Sequence, residues 1–175
     1  MINLLKNICN RKIPSCIYTD FNNTDKFHFG YVLAVNDQNI AIHMISPDGE
    51  DDGIIVMNTE KVIRVDNENL YSRKMIKLSS DKNILSFDIH FENDEILYSV
   101  LCYAFQKKYV VTIELCNSGY NDITGLIENI EDKTVKIKLF DEYGSFDGYS
   151  YVSSNDISIL SLLSQDEKRL TRLIS

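Results

Sequence analysis

The sequence predicts a mainly β fold with flanking helices: two tandem five-stranded antiparallel barrels, each preceded by an N-terminal α-helix. Two observations predict it. The first is an internal repeat. Gly30 to Gly53 reads GYVLAVNDQNIAIHMISPDGEDDG and Gly125 to Gly148 reads GLIENIEDKTVKIKLFDEYGSFDG, aligned without a gap at an offset of 95 residues. Six of 24 aligned positions are identical: Gly30/Gly125, Asp37/Asp132, Ile42/Ile137, Gly49/Gly144, Asp52/Asp147 and Gly53/Gly148. Ordinary composition gives roughly one or two by chance. The second observation is a period of two. Ile40, Ile42 and Met44 alternate with Ala41 and His43, and Val135, Ile137 and Leu139 alternate with Lys136 and Lys138. That is the pattern of a strand with one buried face.

Each element follows in order. Met1 to Asn10 sets Ile2, Leu5 and Cys9 at helical spacing, and its counterpart, Ile96 to Phe105, has a broader apolar face. Asn93, Asp94 and Glu95 supply an N-cap and first-turn acids to that second helix. Ile13 to Tyr18 and Tyr109 to Leu115 predict first strands, with Pro14 suited to a strand start or edge. Polar loops, Thr19 to Lys26 and Cys116 to Asp122, come next. The repeat is then a three-strand meander, turning at Asn36-Asp37 and at Pro47-Asp48-Gly49, the latter answered by Glu142-Tyr143-Gly144. The paired glycines at 49, 53, 144 and 148 predict positive φ or a bulge that curls the third hairpin. Val62 to Val65 and Ile157 to Ile159 predict a fifth strand, matched through a one-residue slip. Each copy closes on a short helix. The units are 1–78 and 93–175, joined by 79–92, whose Ile84 to Phe91 alternates and is expected to be an extra strand or an extended strap, since a flexible linker would be rich in Gly and Ser.

Composition bounds the function. The chain has 175 residues, 44% apolar and 25% charged, with a net charge of −8. No run is long and apolar enough to span a membrane, and Met1 to Ile8 lacks a signal-peptide pattern. Cys9, Cys16, Cys102 and Cys116 form no CxxC pair and face Ala104, Val111, Asn7 and Phe21 at the repeat offset. They are expected to be small core hydrophobes in a reducing cytoplasm. The acidic cluster Asp48, Glu50, Asp51 and Asp52 recurs only at Asp52/Asp147 and lacks calcium-loop spacing, so no metal and no cofactor is expected. His43 faces Lys138 in the other copy and is expected to point to solvent, whereas His28 faces Ile123 and is expected to be half-buried. With no nucleophile, phosphate-loop or metal-protease motif present, the chain is not expected to be an enzyme.

The element order, with Gly30-x-Val32-x-x-Val35-x-Asp37 and Gly125-x-Ile127-x-x-Ile130-x-Asp132, resembles the Sm/LSm family, including its bacterial branch. The resemblance covers both units. It implies Sm-like barrels, and it nominates Asp37, Gln38 and Asn39 with Asp132, Lys133 and Thr134 as the positions of the family's RNA-reading loop. The family's Arg-Gly pair is absent from both fifth strands, where Glu60-Lys61-Val62 and Asn155-Asp156-Ile157 stand. One charge feature repeats: Arg73, Lys74 and Lys77 fall on Lys168, Arg169 and Arg172. These six are the nominees for phosphate or acidic-partner contacts. The acidic net charge disfavours RNA. The expectation is therefore a non-catalytic, intracellular binding or scaffold protein. Its partner would be another protein, or a further copy through barrel edge strands. The alternatives are an Sm-like RNA or nucleotide binder and a small acidic immunity-type antagonist of a basic partner.

Overall fold

In the computed structural model, residues 1–80, 86–92 and 95–174 are described, and the chain divides into two compact units, Met1–Asp88 and Ile89–Ser175. The division falls inside the expected strap. The first unit runs α1 (Ile2–Arg11), β1 (Ser15–Tyr18), β2 (Phe27–Val35), β3 (Asn39–Ile45), β4 (Asp51–Asn58), β5 (Arg64–Asn67) and α2 (Leu70–Ser79). Its strands lie in the order β5-β1-β2-β3-β4, every neighbour antiparallel. The second unit runs α3 (Ile96–Lys107), β6 (Val110–Leu115), β7 (Ile123–Glu131), β8 (Thr134–Phe140), β9 (Phe146–Ser153), β10 (Ile157–Leu162) and α4 (Gln165–Ile174). Its order is β10-β6-β7-β8-β9, again antiparallel.

The mainly β architecture and the helix before each set of five strands are as the sequence predicts. A closed barrel is not what forms. Among the described residues β4 does not pair with β5, nor β9 with β10, so each unit is an open five-stranded sheet.

The repeat is deeper than its identities suggest. At an offset of 95, β3 lands on β8, β4 on β9 and α2 on α4, end for end. Short 3-10 turns, Thr59–Lys61 and Ser154–Asp156, occupy the same places. The fifth strands need no slip, because Val62 and Ile157 leave these turns with nearly the same dihedrals, φ −74° and ψ 108° against φ −74° and ψ 113°. The slip lies nearer the start. Lys12 and Lys108, 96 residues apart, both end their helices in the left-handed conformation. Likewise Cys16 pairs with Phe29 while Thr112 pairs with Thr124. One residue is therefore missing from the β6–β7 connection, so Cys16 corresponds to Thr112 rather than Val111.

Two glycine sites explain the repeat's most persistent identities. A Cβ on Gly30 or Gly125 would press on the carbonyl oxygen of His43 or Lys138 across the ladder, so only glycine lets the strands pair. Gly53 and Gly148 have φ of +77° and +97°, as their spacing predicts. Each bends the strand after the second hairpin turn.

In the first unit α2 covers one face of the sheet. Met75 sits fully buried on Cys16, Tyr18, Phe29 and Ile45. Tyr71 makes edge contacts with Phe27 and Phe29 at 5.0 and 5.5 Å. α2 begins where the Asn69 side chain accepts the Ser72 N–H, and α4 where Glu167 reaches back to the Ser164 N–H, two halves of the same capping logic.

The described part of the strap, 86–92, forms no strand. Within it Phe87, Ile89 and Phe91 are half-buried and the residues between them exposed. Ile84, like Asn93 and Asp94, lies outside the described residues. The cysteines differ from expectation at one position. Cys16 is buried and Cys9 half-buried, but Cys116 is exposed, placed in the left-handed turn after β6.

Candidate functional site

The residues expected from the family resemblance sit in the β2–β3 and β7–β8 turns. Asp37 and Gln38 are exposed, and the turn is held by Asn36, whose side chain accepts the Gln38 and Asn39 N–H groups at 2.9 and 2.7 Å. The Asn39 side chain donates to Asn58. In the second unit Asp132, Lys133 and Thr134 are exposed, with Asp132 left-handed at φ 51°. The Gln38 and Lys133 carbonyls accept the Thr59 and Ser154 N–H groups. Both turns thus spend their backbone on tying the hairpin to the next 3-10 turn.

The basic trios lie along two helices. Arg73, Lys74 and Lys77 are exposed on α2. On α4, Arg172 is exposed, Lys168 is half-buried and Arg169 is paired with Asp166 at 2.6 Å.

A different surface stands out once the two sheets are compared. β3 and β4 bring Ala41, His43, Ile54 and Val56 onto one face, since Ala41 pairs with Val56 and His43 with Ile54. The same positions of β8 and β9 are Lys136, Lys138, Tyr149 and Tyr151, paired in the same way. The first set is closed: Ile54 and Val56 are 1% exposed and His43 is 5% exposed. The second set is open: Tyr149 is 47% exposed, Tyr151 66% and neighbouring Phe146 56%. The expectation that His43 points to solvent is therefore wrong. Its Nε2 lies 2.7 Å from Asp51 Oδ2, and its ring meets Phe87 of the strap edge-on at 4.7 Å. Asp51 also accepts the Gly53 N–H. His28 is half-buried, as expected, and desolvation, helped by Lys26, lowers its pKa to about 4.

No family model, no curated protein and no solved structure matches this chain.

The open face is ordered by its own contacts. The Lys136 ammonium lies over the Tyr149 ring at 4.2 Å and bonds Glu128 at 3.1 Å. That carboxylate, first among several neighbours, holds the ammonium above its ordinary pKa. Lys138 lies 5.5 Å from both the Phe140 and the Phe146 rings. Phe146 in turn packs on Tyr149 at 5.2 Å. The result is a platform of aromatic rings capped by two cations, on a strand, β9, that among the described residues pairs only with β8.

Beside this platform the second unit has a groove of about 290 Å³, lined among others by Thr112, Thr124, Phe140, Arg169, Leu170 and Leu173. The first unit fills the same place itself. Cys16, Phe29, Ile45 and Met75 correspond to Thr112, Thr124, Phe140 and Leu170, and Tyr71 corresponds to Asp166. Exchange of Phe29 and Tyr71 for Thr124 and Asp166 removes two rings from under the helix. Sequence reasoning missed both features, although the signal is present. At the repeat offset, Ala41, His43, Ile54 and Val56 become two lysines and two tyrosines.

Proposed function

We propose that this chain is a non-catalytic binding or scaffold protein built from two copies of an Sm-like unit, and that its second unit engages a partner through the outer face of β8 and β9. One observation carries this reading: the positions of Tyr149 and Tyr151 are exposed in the second unit while their equivalents in the first are closed. Contiguous exposed aromatic surface marks an interaction site in a folded protein. Tyrosine and lysine stems suit a surface that is wet in one state and covered in another. The Sm-like assignment is supported by the order of a helix and five strands, written twice, and by Gly30 and Gly125 in their second strands. The non-catalytic reading is supported by the histidine with the best-defined partners, since His43 is committed to Asp51 and Phe87.

A protein partner fits better than RNA. Residues 89–175 carry 8 Lys and Arg against 14 Asp and Glu, so the field around the platform opposes phosphate. The test is site-specific photocrosslinking in cells that express the chain, with the crosslinker at position 149, 151 or 120. Adducts with a macromolecule are expected at 149 and 151. Their absence there, or equal adducts at the exposed loop position 120, refutes the proposal.

A further inference from the structure

We infer that the groove of the second unit takes an arginine side chain of a basic partner protein. This site is separate from the β8–β9 platform and does not depend on it. The repeat shows how the groove comes about. Both units build the same frame. A Cβ on Gly49 or Gly144 would press on the backbone of Leu78 or Leu173, so in each unit the second hairpin turn sits against the last turn of the closing helix. What fills the frame differs. The first unit closes it with rings, Tyr71 meeting Phe29 edge-on at 5.5 Å beside buried Met75 and Cys16. The second has Thr124 and Asp166 at the ring positions and keeps a groove of about 290 Å³. Ligand sites for whole small molecules run to about 300–1,000 Å³, so this one suits a single side chain.

The carboxylates of the groove are peculiar to this copy. Asp141, Glu142 and Asp166 line it, where the first unit has Ser46, Pro47 and Tyr71. The turn backbone bears out the match, since the Ser46 and Asp141 N–H groups donate to the Glu50 and Ser145 carbonyls. Asp166 is held by Arg169 at 2.6 Å. Among the described residues Asp141 accepts the Tyr143 and Ser145 N–H groups on Oδ1 alone, and Glu142 pairs with no cation. The Thr112 and Thr124 hydroxyls add acceptors. Thr112 is 9% exposed, and its bond from Thr124, 3.5 Å long, leaves it a lone pair for a further donor. Arginine answers this set. It brings five N–H donors, no acceptor, a planar head that a carboxylate holds by two bonds, and an apolar stem for Phe140, Leu170 and Leu173. Lysine carries the charge without the fork. Lys138 lies 5.5 Å from the Phe140 ring, yet Lys138 and Arg169 against three carboxylates leave the groove negative. The surrounding unit, 89–175, with 8 Lys and Arg against 14 Asp and Glu, has the same sign and draws a basic partner in.

The experiment selects random short peptides displayed on phage against the full-length chain, with counter-selection on Glu142→Lys, a change at an exposed position. Enriched peptides, versions with lysine or glutamine in place of arginine, and an oligolysine of equal charge are then measured by fluorescence anisotropy. Enrichment of arginine over lysine is expected. Affinity should fall about tenfold in Glu142→Lys, and by a similar factor when the peptide's arginine becomes lysine. Thr124→Phe restores the first unit's ring and is expected to weaken binding as much; if that variant does not fold, Glu142→Lys decides. No enrichment, enrichment without arginine, oligolysine bound as tightly, or affinity unchanged in Glu142→Lys overturns the inference. Crosslinking tests the platform separately. Adducts at 149 and 151 with no arginine peptide enriched sink the groove site alone, and arginine peptides enriched without those adducts uphold the groove site and sink the platform reading.

Discussion

Gly125→Ala tests the register that builds the platform. The added Cβ would lie 2.9 Å from both the Lys138 carbonyl carbon and Ile137 Cγ2, and closer still to the Lys138 carbonyl oxygen. An ordinary carbon–oxygen approach across a sheet is about 3.3 Å or more. The obstructing group is backbone, so no rotamer change relieves it, and β7 must move away from β8. Overpacking of this kind costs about 1–3 kcal/mol, and a distorted ladder bond adds about 1 kcal/mol. The expected loss is therefore about 2–4 kcal/mol of a total near 5–15 kcal/mol. Urea unfolding followed by tyrosine fluorescence is the assay, because seven of the ten tyrosines lie in 89–175. The midpoint should fall by about 1–2 M. Gly148→Ala, at φ +97° but with open space around it, should cost only the strain of that backbone, about 1 kcal/mol. If Gly125→Ala costs less than Gly148→Ala, the close-approach account of the repeated glycine is wrong.

Three further outcomes follow from the same structure. Asp51→Ala removes the partner of buried His43 Nε2 and of the Gly53 N–H, and thermal or urea unfolding should register a loss of about 1–3 kcal/mol. His28 has a folded pKa of about 4 against 6.5 when free, so its stabilisation is present above pH 6.5 and lost as pH falls toward 4. That amounts to about 3 kcal/mol. His28→Asn should flatten this part of the stability–pH curve, and an unchanged slope would contradict the burial. Uridine-rich single strands should bind weaker than micromolar at physiological salt, as read by anisotropy, and any binding at low salt should fall steeply as salt is added.

Much of the architecture is legible in the sequence because backbone geometry repeats with the chain. The hairpin strands, their glycines and the closing helices follow from the offset of 95 residues. Three things were not legible, for separate reasons. Sheet closure depends on curvature accumulated over five strands, and glycine spacing gives only the position of a bend. The missing residue of the β6–β7 connection leaves Cys16 against Val111 in a gapless alignment, and apolar neighbours on both sides hide the error. The burial of His43 depends on what covers it. Its counterpart Lys138 shares its backbone position but neither Phe87 nor an equivalent of Asp51, since Phe146 stands at that place. Substitution between repeats transfers conformation and does not transfer environment, which is why exposure differs at the positions that diverge.

Hydroxyl-radical footprinting, run on the purified chain and on the chain inside cells that express it, tests the central claim most directly. In the purified chain Phe146, Tyr149 and Tyr151 should be oxidised readily, and Ile54 and Val56 should be protected. Inside the cell the account predicts that oxidation at Phe146, Tyr149 and Tyr151 falls while that at Tyr120, 75% exposed in the β6–β7 loop, stays the same. Tyr149 and Tyr151 oxidised as fast in the cell as in isolation would contradict it.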